Sequence, residues 1–387
     1  MTAGWETKTL DQISLNLDSK RVPITKADRV GGMYPYYGAS GIVDYVADYI
    51  FDCDALLVSE DGANLLARST PIAFSVSGKY WVNNHAHILK FGSLTTQRFV
   101  ELYLESIPLN DYVTGAAQPK LNQKALNSIP IPYPPLGEQD RIVAILDEAF
   151  DGIATARSNA EQNLRNVRAL FESHLQAVFS QRGEGWMETI LEHVLVEQPR
   201  NGWSPPAANH SDAGVPVLTL SAVTGFQFRA NKIKFTSAKT DSRRHYWVEN
   251  GDLLITRSNT PELVGHVAIA SGLTEPTIYP DLIMRMIPAP DLMLAEFLYY
   301  QLRSPSLRLE ITGRAQGANP TMKKISKRAV QTLPIAVPPI STQRKIVHQL
   351  HSLTEETRRL ESLYQRKLAA LDELKKSLLH QAFSGRL

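Results

Sequence analysis

The sequence predicts an α+β protein in which two mixed α/β domains of related sequence are joined by two long antiparallel helices packed as a coiled coil. The main observation is a run of about fifty residues that begins at Ile129 and is repeated from Leu333 at a constant offset of 204 residues. Each copy opens with a proline-rich segment and continues as a long helical pattern. A duplication over such a distance outranks local signals when a fold is assigned.

Composition narrows the class of protein. A chain of 387 residues with 43% hydrophobic residues suggests two or three globular domains. The single cysteine, Cys53, excludes an intramolecular disulfide framework and fits a reducing cytoplasm. We find no signal peptide and no apolar run long enough to span a membrane, so a cytoplasmic location is expected. The net charge is +2, and no segment is as basic as an independent DNA-binding module, which argues against tight DNA binding by the chain alone.

Residues 1–136 are predicted to form the first domain. Short β-rich runs alternate with Gly, Asp and Asn breaks, which is typical of strands joined by turns; the runs are Ile42–Val46, Ala55–Ser59, Ile72–Val76 and His87–Phe91. A helix is predicted over Arg98–Ser106, and a glycine- and proline-containing loop over Gly115–Asn122. The prolines between Pro130 and Pro135 fix φ, so we expect a stiff, extended joint there.

The first long helix is predicted over residues 137–182. Apolar residues recur at spacings of three and four and form one stripe, with Gly152 as a weak point. At about 1.5 Å per residue, forty residues give a rod of roughly 60 Å. The stripe residues that we expect in helix–helix packing are Ile142, Leu146, Ile153, Leu164, Val167 and Leu175.

The second domain, residues 183–340, is predicted to begin as the first does, because Gly185-Trp186 and Leu191 repeat Gly4-Trp5 and Leu10. Inside it, residues 252–256 resemble residues 55–59, and residues 297–304 resemble residues 99–106. These offsets are 197 and 198 rather than 204. The domains therefore share one plan but differ by small insertions, while the helices repeat without gaps.

The second long helix is predicted over residues 341–387. Its packing stripe consists of Ile346, Leu350, Leu353, Leu360, Leu368, Leu371 and Leu378. Such helices need a partner for their apolar face, so we expect the two rods to pack on each other with a domain at each end and an internal pseudo-two-fold axis. The first helical segment is acidic and the second is basic, which favours their attraction. In the alternative, each helix buries its stripe in a separate core.

Signatures of catalysis and of metal binding are scarce. We find no glycine-rich phosphate loop, no serine or cysteine hydrolase signature and no Asn/Asp-Pro-Pro-aromatic methyltransferase motif. Cys53 lies in an acidic run, which does not favour activation of its thiol. His85 and His87 lack further ligands for a metal, and the acidic residues Asp48, Asp52, Asp54, Glu60 and Asp61 are interpreted as solvated turn residues rather than a magnesium site. We therefore expect no metal site and a recognition or scaffolding role.

Five motifs resemble those of the specificity subunits of type I restriction–modification systems, the HsdS family. They are G-W-x-x-x-x-L at Gly4 and Gly185, Y-P-Y-Y-G-A-S-G-I from Tyr34, L-L-V-S-E-D-G-A from Leu56, G-D-L-L-I-T-R-S-N-T from Gly251, and the P-P-L-x-E-Q and P-P-I-x-x-Q-R-K-I openings at Pro134 and Pro338. The resemblance covers nearly the whole chain and places each motif in the family's order.

The resemblance implies a non-catalytic subunit. Each domain would be a target-recognition domain that reads one half of a split, asymmetric target in double-stranded DNA, and the helical pair would fix the gap. Two modification subunits would bind S-adenosylmethionine and methylate adenine. Restriction subunits would supply ATP-driven translocation and nuclease activity. S-adenosylmethionine, ATP and magnesium would therefore belong to the partner subunits, and none would bind this chain directly.

Base reading requires polar or cationic side chains on loops, and phosphate contacts require Lys, Arg or backbone N–H groups. The loops before the two proline joints are the best candidates because they are polar in both copies. In the first domain the predicted DNA-binding residues are Lys20, Arg21, Tyr36, Tyr37, Ser40, Lys79, Tyr80, Gln118 and Lys120. In the second domain they are Arg229, Lys232, Lys234, Arg243, Arg244, Arg257, Arg314, Gln316, Asn319, Lys323 and Lys324.

Three alternatives remain open at this point. A self-sufficient DNA-binding regulator would bind DNA tightly without a partner. An enzyme with an unrecognised site would methylate DNA alone in the presence of S-adenosylmethionine. A specificity chain of a system with fused cleavage and modification subunits would have similar recognition domains.

Overall fold

The computed structural model describes residues 4–115, 117–181, 183–319 and 321–387. Arg182, where the first long helix was predicted to end, lies outside the described residues. The chain forms two compact units. The first unit comprises residues 1–161 and 365–387, and the second comprises residues 162–364. Each unit therefore contains one mixed domain together with part of both long helices.

The first unit has short strands and helices ahead of the first long helix. In chain order they are β1 (Glu6–Thr9), α1 (Leu10–Ile13), β2 (Ser14–Asn16), β3 (Gly31–Gly38), β4 (Gly41–Val46), β5 (Phe51–Asp52), β6 (Ala55–Ser59), α2 (Asn64–Ala67), β7 (Ala73–Val76), β8 (Lys79–Val82), β9 (Ala86–Phe91), α3 (Leu94–Ser106), α4 (Gln123–Asn127), β10 (Pro130–Tyr133) and α5 (Leu136–Ser180).

Two four-stranded sheets form the domain of the first unit, with strand orders β4-β3-β8-β5 and β2-β9-β6-β7. Strand β6 is buried along its whole length and pairs antiparallel with β7 and β9, which explains its uninterrupted apolar sequence. All four predicted β-runs are confirmed as strands to within one residue at either end. The predicted helix exists but begins four residues earlier, because the Ser93 side chain accepts a hydrogen bond from Thr95 N and caps it.

The second unit follows the same plan with more strands. In chain order its elements are β11 (Met187–Ile190), β12 (Leu195–Asn201), β13 (His210–Ser211), β14 (Val215–Leu218), β15 (Ile233–Thr236), β16 (Trp247–Val248), β17 (Leu253–Thr256), β18 (Ser258–Asn259), β19 (Val267–Ile269), β20 (Thr277–Ile278), β21 (Ile283–Pro288), α6 (Ala295–Arg303), α7 (Pro305–Arg314), β22 (Lys323–Lys324), α8 (Lys327–Gln331), β23 (Pro334–Val337) and α9 (Ile340–Phe383).

Strand β17 is the counterpart of β6. It is fully buried and lies between β21 and β19 in a sheet of order β12-β21-β17-β19, and a five-stranded sheet has the order β13-β15-β14-β20-β16. Helix α6 confirms the predicted likeness between residues 297–304 and residues 99–106. The observed α+β fold, with two related domains and two long helices, agrees with the fold class predicted from the repeat.

Both proline joints are strands, and the sequence did not reveal their partners. Strand β10 pairs antiparallel with β1, so that Glu6 lies opposite Tyr133. Strand β23 pairs antiparallel with β11, so that Met187 lies opposite Val337. A proline cannot donate to a ladder, but a two-stranded ribbon leaves one side of each strand free. The repeated Gly-Trp motif thus marks a segment that anchors the start of each domain to the entry of its helix.

The two long helices run antiparallel within each unit. In the first unit Arg157 of α5 forms an ion pair with Asp372 of α9. In the second unit Arg168 of α5 forms an ion pair with Glu361 of α9. Both cations of these ion pairs lie on α5, the helix with net negative charge, and both anions lie on α9. These two contacts therefore have the opposite polarity to the predicted attraction between an acidic first helix and a basic second helix.

None of the thirteen residues of the predicted packing stripes is exposed. Four of them are buried: Ile142, Leu146, Leu175 and Leu350. The other nine are half-buried: Ile153, Leu164, Val167, Ile346, Leu353, Leu360, Leu368, Leu371 and Leu378.

The helix ends also enter the cores of the domains, so the alternative of burial in separate cores is partly realised. In the first unit, Leu379 and Ala382 of α9 join Ile142 and Leu146 of α5 in the cluster that contains Phe99. In the second unit, Phe171, Leu175 and Phe179 of α5 join Leu350 of α9 in the cluster that contains Phe297. Each domain core is therefore completed by both helices.

No helix among the described residues is long and apolar enough to cross a membrane.

Candidate functional site

The strands β6 and β17 end at the same structural position in their units. After β6, Glu60 N donates to His85 O at 2.9 Å, and Glu60 O accepts from Leu121 N at 2.8 Å. After β17, Arg257 N donates to Leu282 O at 2.7 Å, and Arg257 O accepts from Ile325 N at 2.9 Å. Glu60 and Arg257 are therefore equivalent residues, each held by one backbone hydrogen bond on either side.

A loop from the end of each domain lies beside this position. In the first unit, Thr114 and Lys120 exchange backbone hydrogen bonds of 2.9 and 2.7 Å, and Asp61 forms a bridge with Lys120. Between them, Gly115 has a φ of +88°, in the left-handed region, and an added Cβ would lie 2.4 Å from Gln118 O. Only glycine fits such a turn without strain.

The second unit repeats this loop pair. Gln316 and Lys324 exchange backbone hydrogen bonds of 2.8 and 2.7 Å. Strand β18 pairs with β22, which sets Ser258 opposite Lys324 and Asn259 opposite Lys323. The structure thus brings together two segments that the sequence separates by more than fifty residues. Five of the predicted DNA-binding residues meet here: Arg257, Gln316, Lys323 and Lys324, with Asn319 in the same loop.

The site of the first unit is a neutralised charge network. Glu60 accepts from Arg21 at 2.6 Å and lies 3.1 Å from the Lys120 ammonium. The buried His87 ring contacts Asp18 through Nδ1 at 2.5 Å and Leu121 O through Nε2 at 2.7 Å. Burial alone would raise the pKa of Asp18, but the hydrogen bond and charge of His87 outweigh it and the pKa is lowered.

The same balance governs Glu60. Burial would raise the pKa of this carboxyl, but the hydrogen bond from Arg21 and the charge of His87 lower it. Asp18, Glu60 and His87 could each offer a ligand atom to a metal ion. Arg21 and Lys120 already supply the positive charge at this position, so the arrangement is that of an ion-pair network.

The other acidic and histidine residues singled out in the sequence separate in space. Asp48, Asp52 and Asp54 are exposed, as the interpretation of solvated residues requires. His85 is about half-exposed and contacts Asp61 at 2.8 Å. Its neighbour in the pattern, His87, is 1% exposed and contacts Asp18 instead. The two histidines therefore serve different partners.

Two predicted DNA-binding residues of the first domain are buried, which corrects the expectation for them. Tyr36 is 1% exposed and its hydroxyl bonds to the backbone of Ile24. Tyr80 is 0% exposed and stacks on Phe51. Both tyrosines pack the sheet, so we remove them from the candidate set. Alternate side chains of a strand point to opposite faces of the sheet. The aromatic residues of β3 and β8 hid which of these faces is buried.

The remaining candidates of the first domain differ in how free they are. Arg21 is largely covered because it binds Glu60, and Tyr37 is half-buried. The Lys79 ammonium lies over the ring of Tyr49, 4.6 Å from its centroid. The exposed candidates are Lys20, Ser40, Lys79, Gln118 and Lys120.

In the second domain, two candidate arginines stabilise the fold instead of projecting freely. Arg229 donates to Ser221 O and Thr224 O. Arg314 donates to Thr332 O at 2.9 Å and pairs with Glu310. The exposed candidates are Lys232, Lys234, Arg243, Arg244, Gln316, Asn319 and Lys324.

An open cavity of about 840 Å³ adds residues that the sequence did not single out. Its walls include Trp203, Lys239 and His245 beside the predicted Arg243 and Arg244. Asp241 binds Arg243 at 3.1 Å, so part of the positive charge is compensated within the wall. The cluster R-R-H in the sequence was a signal for part of this wall, but Trp203 comes from a distant loop.

Comparisons with known proteins agree on one family. The model of the type I restriction modification DNA specificity domain matches residues 2–163 and 184–368. A putative type I restriction enzyme specificity subunit of Haemophilus influenzae is 38% identical over 142 residues, which are 37% of this chain and 36% of that protein. The EcoKI specificity subunit of Escherichia coli is 27% identical over 285 residues, 70% of this chain and 61% of that protein. The matches thus span less than two thirds of the length of these curated relatives.

Two solved structures have the same fold. One, from a study of complex assembly and conformational transition of the type I R-M system, has a TM-score of 0.76 at 18% identity and covers 100% of this chain and 99% of that chain. The other, the HsdS subunit from Thermoanaerobacter tengcongensis, has a TM-score of 0.58 at 18% identity and covers 100% and 98%. At this identity the likeness concerns the fold alone.

Proposed function

The chain belongs to the type I restriction–modification DNA specificity family, and on that premise we propose that it selects the DNA target of a type I restriction–modification complex. Each recognition domain reads one half of a bipartite, asymmetric sequence in double-stranded DNA. The pair of long helices fixes the gap between the halves. The chain itself carries no methyltransferase or nuclease activity, which belongs to partner subunits.

The observation that carries this proposal is the duplicated loop pair. A buried central strand in each unit ends in a polar segment, at Glu60 and Arg257, and a second polar loop is hydrogen-bonded beside it. Loops held by a rigid sheet are suited to base reading because their side chains are displayed in a fixed direction. Two such displays in one chain fit a target with two halves.

The charge of the chain supports dependence on partners. A net charge of +2 supplies little of the phosphate attraction that independent DNA binding requires. We propose that two modification subunits complete the DNA-binding surface and methylate adenine with S-adenosylmethionine, and that restriction subunits join the same assembly with ATP and magnesium. We further propose that this assembly works in the cytoplasm.

Binding measurements test the division of labour. The chain is mixed with labelled duplex, alone and with its modification subunit, at physiological salt. We expect tight, sequence-dependent binding by the complex and weak binding by the chain alone. Sub-micromolar binding by the chain alone would support a self-sufficient regulator instead, and methyl transfer by the purified chain would support an enzyme.

A further inference from the structure

Glu60 and Arg257 share one backbone position but carry opposite charges. The residue after each of them pairs with a lysine: Asp61 with Lys120 in the first unit and Ser258 with Lys324 in the second. In the first unit Lys120 forms an ion pair with Glu60 at 3.1 Å. In the second unit the two equivalent residues, Arg257 and Lys324, are both cations. Equivalent backbone positions in the two units therefore carry side chains of different charge.

Compensation in the first unit is complete within the domain. Glu60 is bound by Arg21 at 2.6 Å and by Lys120 at 3.1 Å, and its side chain is only 11% exposed. Hydrogen bonds and charges that satisfy a buried carboxylate leave little capacity for an external ligand. We therefore expect this network to position the Thr114–Lys120 loop, with base reading in the first domain left to other side chains.

The corresponding group in the second unit is uncompensated. Within the ranges that the structure describes, the side chain of half-buried Arg257 has no hydrogen-bond or ion-pair partner. Lys324 beside it is exposed, and it too lacks an acidic partner among the described residues. The neighbouring Ser258 Oγ is buried, at 2% exposure for the residue, and finds no hydrogen-bond partner in the described part of the chain. The described residues therefore offer no acceptor to these donors.

A ligand at this position should therefore supply hydrogen-bond acceptors. Arginine presents a planar fork of donors that matches the O6 and N7 atoms of guanine, which is the commonest specific contact in the major groove. Lysine is a flexible point charge suited to phosphate. The backbone of Arg257 is fixed by its bonds to Leu282 and Ile325, so the fork starts from a rigid base. A fixed arginine beside a mobile lysine suits one base contact with one phosphate contact.

We propose that Arg257 reads a guanine in the half-site of the second recognition domain, and that Lys324 holds an adjacent phosphate. The inference rests on the proposed function and deepens it, because it assigns one base to one residue. The neutralised Glu60–Lys120 pair is its counterpart in the first domain and reads no base.

Methyl-transfer rates of the complex with its modification subunit test the assignment. The substrates are duplexes that carry each of the four bases at every position of the recognised halves. For the unsubstituted chain we expect one position to prefer guanine by about 5- to 150-fold, and Arg257→Ala to abolish that preference while the other positions keep theirs. Lys324→Ala should instead slow methyl transfer on all sequences alike. In a binding assay it should also reduce, by about one, the slope of the logarithm of the DNA association constant against the logarithm of the salt concentration.

Two further variants guard the interpretation. Arg359→Ala removes one exposed positive charge of the second unit from helix α9, and we expect the full sequence preference to remain. Arg257→Lys keeps the charge but loses the fork, so it decides the matter if Arg257→Ala fails to fold. Arg257→Lys should keep the methyl-transfer rate on the preferred sequence within an order of magnitude. It should lose most of the preference for guanine at that one position.

The outcomes separate the two levels of the account. If the unsubstituted complex shows no consistent preference among the DNA sequences, the proposed function is wrong. If it reads a split target but folded Arg257→Ala and Arg257→Lys retain the preference at every position, the proposed function stands and the assignment of Arg257 is wrong. A uniform loss of rate over all sequences with Arg257→Ala would likewise refute base reading by this residue.

Discussion

In the first unit, Nη1 of Arg157 on α5 donates a 2.5 Å hydrogen bond to Oδ1 of Asp372 on α9. In the second unit, Arg168 on α5 donates to Glu361 on α9 at 2.6 Å. Arg168 lies eleven residues after Arg157 on α5, and Glu361 lies eleven residues before Asp372 on α9. Both contacts therefore follow one antiparallel register, and this register allows matched segments of the two helices to be removed together.

Removing matched segments tests the proposal that the helices set the gap. Deletion of residues 158–164 with residues 365–371 takes two turns from each helix and keeps the four residues of the ion pairs. At about 1.5 Å per residue, seven residues span roughly 10 Å, or about three base pairs at 3.4 Å each. We expect the unspecified gap to change by about three base pairs while both half-sites stay the same. Maps of methylated sites measure this, and an unchanged gap would refute the proposal.

The C-terminal end of α9 should contribute strongly to the stability of the first unit. Leu379 is 6% exposed in the core cluster of that unit, so Leu379→Ala should lower the free energy of unfolding by about 2–5 kcal/mol. Leu374 on the same helix is 47% exposed, and Leu374→Ala should lower it by less than about 1 kcal/mol. Urea unfolding followed by circular dichroism compares the two. Equal effects would show that this end of α9 does not complete the core.

Arg21 should act through stability more than through DNA contact. Its side chain is 15% exposed and bound to Glu60, so Arg21→Ala leaves this buried carboxylate with Lys120 as its remaining ion-pair partner and should lower the free energy of unfolding by about 1–3 kcal/mol. Lys20→Ala, at the exposed neighbouring position, should leave stability nearly unchanged. Thermal unfolding of both variants provides the measurement. A folded Arg21→Ala chain of normal stability that binds DNA poorly would reverse our interpretation of this residue.

Acid should destabilise the second unit through His266. Burial, followed by the charge of Arg308, lowers the pKa of His266 to about 4 from 6.5, and Nδ1 accepts a hydrogen bond from Gly225 N. Because the folded-state pKa is lowered, the stabilising contribution is complete above about pH 6.5 and is lost as the pH falls towards 4. The shift of the pKa corresponds to about 3 kcal/mol over this range.

Unfolding free energies between pH 7.5 and 4.5 check this dependence. His266→Gln should flatten the decline in stability across that window. His348→Gln removes an exposed histidine on α9 and should leave the decline as it is. A decline that persists unchanged in His266→Gln would assign the acid sensitivity to another group.

The sequence predicted those features that depend on local pattern or on repetition. The apolar run Ala55–Ser59 is a buried strand because both of its faces are covered, and the stripe residues from Ile142 to Leu175 are buried or half-buried because their period matches that of the helix. The repeat also aligned Ser59 with Thr256, from which the equivalence of Glu60 and Arg257 follows. The backbone hydrogen bonds to His85 and Leu282 then confirm that equivalence.

Long-range partners were the part that the sequence could not supply. Nothing local in residues 130–133 indicates that they pair with residues 6–9, since a proline-rich segment reads as a joint. Tyr36 was misjudged because a tyrosine on a strand serves either face, and only the sheet decides which face is buried. The compensation of Glu60 by Arg21, and its absence at Arg257, depends on side chains that are distant in the chain.

One measurement tests the central claim most directly: sequencing of methylated adenine in DNA from cells that express this chain with its modification subunit. If each domain reads one half-site and the pair of helices fixes their separation, the methylated sites should share one split motif. That motif should have two defined halves and a single gap length. Exchange of the second domain for that of a relative should then change one half only. A contiguous motif, a variable gap, or no methylation with a folded complex present would contradict the account.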